Sequence, residues 1–190
     1  MNPTILSLTE FPEPLAAALG QLLVRFQALE STLLFAVARF VHPGFEGVPP
    51  ALTIALLQEL PFKSLVSVFS SIPRMLSENE PPFPKISMKD PDVIQAAEAI
   101  AVAASQCNKI EQRRNQLVHS NWFHALPGAE EGLVHRVKAR TSRSKGAKQS
   151  ITSESQKSVE ASIKEVNQAM LAVFMASAQL NSLVLAGHAA

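Results

Sequence analysis

Apolar residues recur at every third or fourth position through four long stretches of the chain, the spacing of a helix with one buried face. The first stretch runs from about Pro14 to Val41. Leu15, Leu19, Leu22, Phe26, Leu29, Leu33 and Phe40 follow one another by three, four or seven positions. Pro14 suits a first helical turn, and His42-Pro43-Gly44 ends the pattern. The second stretch runs from Pro50 to about Leu76. Pro61 interrupts it, because a ring without an N–H breaks the helical ladder, so a kink or two short helices is expected. Ser77 to Lys89, with prolines at 81, 82 and 84, reads as a loop. The third helix is expected to start at Asp90-Pro91-Asp92, with Asp90 as its cap, and to reach Asn121 or Phe123. Leu126-Pro127-Gly128 would close it.

A different texture follows. Leu133 to Thr141 alternates in part between apolar and polar residues, and Ser142 to Gly146 reads as a turn. A second strand near Gln149 to Thr152 would complete a short hairpin. The last helix is expected over Ser155 to Leu185, on a seam of Val159, Ile163, Val166, Met170, Val173, Ser177, Leu180 and Val184, with Gly187 where the helix ends. Long helices joined by loops bury their stripes best side by side. The expected fold is all-α: an up-down four-helix bundle with a short β-hairpin or long loop before the last helix. It forms a single domain over residues 1–190, with 131–153 as a basic insertion.

Composition supports a packed protein: 47% of the 190 residues are hydrophobic and 17% are charged. The net charge of +1 gives no whole-molecule attraction to nucleic acid or membrane, so any such attraction must be local. The single cysteine, Cys107, falls on an apolar stripe and reads as a core thiol in a reducing compartment. The amino terminus lacks the basic start and apolar run of a signal peptide. No apolar run is read as reaching the roughly 18 residues a spanning helix needs. Arg25, Glu30 and Arg39 break the nearest candidates, so a cytoplasmic protein without a membrane partner is expected.

One segment departs from the apolar pattern. Arg114 falls on the stripe that carries Ala97, Ala104, Cys107, Leu117 and Val118, where a guanidinium needs an anionic partner or water. Asn115 and His119 lie four apart, and Glu111 lies four before Asn115. Arg114 is five before His119, roughly 140 degrees around the helix, so the two would flank one groove. A guanidinium suits a phosphate by bidentate donation, and an imidazole suits proton transfer near pH 7. Such a set supports cleavage of an RNA phosphodiester without a metal: His119 moves the proton, and Arg114 stabilises charge growing on phosphorus. One imidazole cannot easily be both acid and base, whereas two copies in a symmetric dimer supply both.

The run Arg114-Asn115-Gln116-Leu117-Val118-His119 resembles the Arg-polar-x-x-x-His signature of HEPN domains. The resemblance implies a helical bundle with the motif near the end of a core helix, and dimers that bring two motifs into one cleft. It implies metal-independent endoribonucleases, often toxins or anti-phage effectors, and also catalytically silent members. Glu30, in the middle of the first helix, matches an acidic residue found in many members and is expected to pair with Arg114. Catalytic roles then fall to Arg114, Asn115 and His119, with Glu30 and Glu111 in support.

Between Gly132 and Ser153 lie Arg136, Lys138, Arg140, Arg143, Lys145 and Lys148, and no acid. The run fits phosphate attraction, or simply a solvated hairpin. Trp122 and Phe123 can stack on a base, or pack in the core or a dimer contact. The histidines show no metal spacing, and neither a Gly-rich phosphate loop nor a nucleophile elbow is present, so no metal or cofactor is expected. The functional expectation is a dimeric ribonuclease acting on RNA, with an antitoxin or regulatory protein as partner. Its rival is a silent module of the same fold that dimerises and binds nucleic acid or a protein.

Overall fold

The computed structural model describes residues 11–42, 47–78, 86, 87, 89–124, 133–142 and 146–188. The chain is mostly helical, in the order α1 (Glu13–Val41), α2 (Ala51–Gln58), α3 (Phe62–Ser77), α4 (Pro91–Val118), β1 (Asn121–His124), β2 (Val134–Ser142), β3 (Gly146–Glu154) and α5 (Gln156–His188).

α1 forms where the apolar spacing predicts it. Leu15, Leu22, Phe26, Leu29, Leu33, Val37 and Phe40 are all buried along one stripe. Pro61 splits the second stretch into two helices and stands as the cap of α3. The described residues thus hold five helices, two of them from the second stretch as Pro61 predicts, and the expected up-down order is not followed by α1 and α3. Phe26 stacks on Phe62 at 4.7 Å, while Val37, Phe40 and Val41 lie against Val68, Ile72 and Leu76. Rising numbers match rising numbers, so α1 and α3 run in the same direction. α2 falls in the return between them, tied to the end of α1 by the His42 Nε2 contact with Thr53 Oγ1 at 2.6 Å.

α4 and α5 are antiparallel. Arg113 Nε donates to Ser162 Oγ at 3.1 Å near one end, and Gln179 Nε2 donates to Gln95 Oε1 at 3.5 Å toward the other. Asp90 caps α4 as its sequence predicts, its Oδ1 accepting from the Asp92 N–H at 2.9 Å. Ser155 and Ser158 cap α5 reciprocally: each hydroxyl accepts from the other's backbone N–H. Cys107 is a fully buried core thiol, and burial pushes its pKa up to about 12 against a weaker opposing backbone hydrogen bond.

Two boundaries differ from expectation. α4 stops at Val118, and Asn121–His124 forms β1 instead of extending the helix, so the expected hairpin becomes a three-stranded antiparallel sheet in the order β1-β2-β3. At the other end, α5 continues through Gly187 to His188. The residues Pro43, Gly44 and Leu126 to Gly128, read from the sequence as helix terminators, lie outside the described residues.

The sheet's register pairs Trp122 with Arg136 and Arg136 with Thr152, and Val134 with both His124 and Glu154. Strand alternation then places Trp122, Val134, Arg136, Lys138 and Glu154 on one face. Val134, Arg136 and Glu154 are buried, so this face packs on the helices. Phe123 and Ile151 belong to the other face and are exposed. The membrane reading needs correction as well. α5 carries no charged residue from Val166 to Ala186, and both it and α1 are long and apolar enough, by length and composition, to cross a membrane. Val166, Ala169, Val173, Ala176, Leu180 and Val184 of α5 are buried in the core.

Candidate functional site

The site is built where α4 ends. A helix leaves its last carbonyls without intrahelical donors, and its macrodipole makes that end negative. The last turn of α4 has no basic residue of its own. Neighbouring segments supply the donors. Lys138 Nζ on β2 donates to the Asn115 carbonyl at 3.2 Å, and Trp122 Nε1 on β1 donates to the Leu117 carbonyl at 3.1 Å. The Ser120 hydroxyl donates to the Gln116 carbonyl.

The structure brings Arg114, Asn115, His119 and Lys138 together around this end. Arg114 Nη1 donates to Asn115 Oδ1 at 3.0 Å, and its guanidinium carbon sits 5.2 Å from the centre of the Phe26 ring. The Asn115 carbonyl also accepts from the His119 N–H at 3.3 Å. His119 is the cap residue, at φ −102° and ψ 27°, so it has left the helical conformation that would hold it on Asn115's face. It is exposed, and its ring makes no hydrogen bond to the described residues.

Arg114 Nε is buried and has no partner among the described residues. The expected Glu30 partner does not pair with it. The ion pairs among the described residues are Arg74–Glu78, Arg113–Glu154 and Arg136–Glu154. Phe26 and Glu30 stand one turn apart on α1, so Arg114 reaches the right helix but rests on an aromatic ring. Glu111 is half-buried one turn before Asn115.

The buried acid that matters electrostatically is one the sequence reading did not select. Glu154, at the end of β3, accepts two bonds from Arg113 at 2.6 and 2.7 Å and one from Arg136 Nε at 2.7 Å. The Ser158 hydroxyl donates a fourth at 2.7 Å. Burial would raise the carboxyl pKa, but the donors from Arg113, Arg136 and Ser158 outweigh it and hold it at about 2. No local pattern in the chain marks this pair. What could have pointed to it is that Arg136 and Glu154 sit at alternate, inward positions beside buried Val134.

Arg136, read from the sequence as an RNA-binding candidate, is therefore 6% exposed and committed to Glu154. Trp122 is turned inward: half-buried, bonded to α4, and edge-on to Phe11 at 5.6 Å. Arg140 stands opposite Lys148 in the ladder. Arg143 and Lys145 lie outside the described residues.

Around the α4 terminus stand Arg113, Arg114, Arg136 and Lys138, with Glu154 fully buried and shared by the guanidiniums of Arg113 and Arg136, and Glu111 half-buried on α4. Four cations against two carboxylates leave the local balance positive, and Arg114 and Lys138 carry no ion pair among the described residues. A cavity of about 340 Å³ lies elsewhere, between α1 and α5, lined by Phe35, Phe40, Val48 and Phe174, and contains none of these residues. No group of three or more His, Cys, Asp or Glu that could hold a metal occurs among the described residues. No known protein family, curated protein or solved structure matches the chain.

Proposed function

We propose that this chain is a HEPN-like endoribonuclease that acts as a homodimer on RNA in the cytoplasm, in the manner of a toxin or anti-phage effector. The observation that carries the reading is the arrangement at the end of α4. Arg114 is hydrogen-bonded to Asn115, and His119 stands exposed one turn on, in positive surroundings. In the proposed reaction, His119 of one copy takes the proton of a ribose 2′-hydroxyl. The 2′-oxygen then bonds to the adjacent phosphorus. The P–O5′ bond breaks, and His119 of the second copy gives the leaving oxygen its proton. Arg114 holds the extra negative charge on phosphorus at the transition state. The products are a 2′,3′-cyclic phosphate and a free 5′-hydroxyl, and no step calls on a metal.

The test is incubation of purified protein with single-stranded RNA in EDTA, followed by end-group analysis. Cyclic-phosphate ends support the reading. Cleavage that requires magnesium, or equal cleavage of DNA, overturns it. The second reading is a silent helical module of the same fold, which binds nucleic acid or a regulatory protein. It is favoured by one observation: the His119 ring has no hydrogen bond among the described residues to set its tautomer.

A further inference from the structure

We propose that Lys138 inverts the charge at the end of α4, and that this is what lets a phosphodiester approach Asn115 and His119. The inference deepens the ribonuclease reading and rests on its choice of RNA as ligand. A helix C-terminus repels anions, because its free carbonyls present about half a negative charge. A motif that must receive phosphate is badly placed there unless a cation covers the end. The last turn of α4 supplies none. Lys138 does so from the neighbouring strand, with its ammonium on the Asn115 carbonyl at 3.2 Å.

The donors gathered here lack acceptors. The ammonium spends one of its three N–H groups on Asn115, and the others are bonded to no described residue. The Asn115 side-chain oxygen is taken by Arg114, and its amide N–H groups are bonded to no described residue. Arg114 has a further unpartnered N–H at Nε. Arg113 and Arg136, by contrast, are each paired with the Glu154 carboxylate. Among the described residues, Lys138 and Arg114 thus bond to Asn115 and carry no ion pair. The ligand whose chemistry suits these donors is acceptor-rich and anionic: one phosphate of a single strand. Lys138 acts as a positioning residue, with its effect on binding.

The experiment measures binding of a 2′-O-methyl RNA oligonucleotide, which cannot be cleaved, by fluorescence anisotropy across a salt series, for the wild type, Lys138→Gln and Lys138→Arg. Thermal melts check that each variant folds. Lys138→Gln should weaken binding about tenfold at low salt and reduce the slope of log K against log salt by about 0.7, the loss of one phosphate contact on a single strand. Lys138→Arg should restore both. On cleavable RNA Lys138→Gln should raise KM, with a smaller effect on kcat, and Lys138→Arg should return KM to the wild-type value. Unchanged affinity and slope in Lys138→Gln, or no rescue by arginine in a folded protein, overturns the proposal. Binding with this dependence in a wild type that cuts no RNA retains the proposal and removes the ribonuclease reading.

Discussion

Arg113 grips Glu154 through both arms of its guanidinium, at 2.6 and 2.7 Å, across 41 positions of sequence. With Arg136 on the same carboxylate, the pair locks the sheet to α4, and Ser158 ties the group to the start of α5. The residue beside Arg113 is Arg114, so this lock sets how the motif at the end of α4 faces β2.

The lock should make stability acid-sensitive. A carboxyl held at about 2, against an ordinary 4.5, contributes stability that is fully present above pH 4.5 and is lost as the pH falls toward 2. The displacement corresponds to roughly 3 kcal/mol. Glu154→Gln should therefore cost about 3 kcal/mol at pH 7 in urea unfolding, and the difference from wild type should shrink between pH 4.5 and 2. A difference that stays constant over that range would show that the ion pairs do not supply the stability.

Glu30 should behave in the opposite way. It is half-buried and has no ion pair among the described residues, so Glu30→Ala should change stability by less than about 1 kcal/mol. A loss near that of Glu154→Gln would mean that Glu30 and Arg114 meet in solution.

Chemistry at the site should separate from folding at one residue. His119 is exposed, and its ring is bonded to no described residue, so His119→Ala should melt like the wild type while losing RNA cleavage by at least a hundredfold. Arg114→Ala should lose cleavage too. It should also lose some stability, because it abandons Asn115 and the Phe26 ring. Cleavage that survives in His119→Ala rules out the proposed proton transfer.

Trp122 should prove to be a structural residue. It packs against the core, edges onto Phe11 and caps a carbonyl of α4, so Trp122→Ala should cost about 3 kcal/mol. Trp122→Phe should keep most of the packing and lose only the hydrogen bond, for about 1 kcal/mol. If Trp122→Phe instead abolished RNA binding in a fully stable protein, base stacking would be its role.

Much of the framework was legible because it depends on neighbours in sequence. The stripe of α1, the Asp90 cap, the break at Pro61, the burial of Cys107 and the hairpin before the last helix all follow from local periodicity and local hydrogen bonding. β1 was missed because Asn121 to His124 has too few residues to show a strand period. Its strand state comes from pairing with Val134 to Val137. The charge-free length of α5 from Val166 to Ala186 is visible in the sequence, whereas Arg25, Glu30 and Arg39 interrupt α1 alone.

What the sequence determined by itself is therefore the set of helices, the faces they bury, and the run from Arg114 to His119 near the end of one of them. Only the tertiary structure decided the partners of the charges. An ion pair depends on which segments meet, and the distance along the chain from Arg113 to Glu154, or from Asn115 to Lys138, carries no periodic signal. The sequence offered Arg114 as the residue needing an acid and Glu30 as the acid. Packing instead brought Arg114 onto Phe26 and sent Glu154 to the adjacent arginine. Adjacent helical positions point about 100 degrees apart, so one residue of register decides which guanidinium is locked to Glu154 and which carries no ion pair among the described residues.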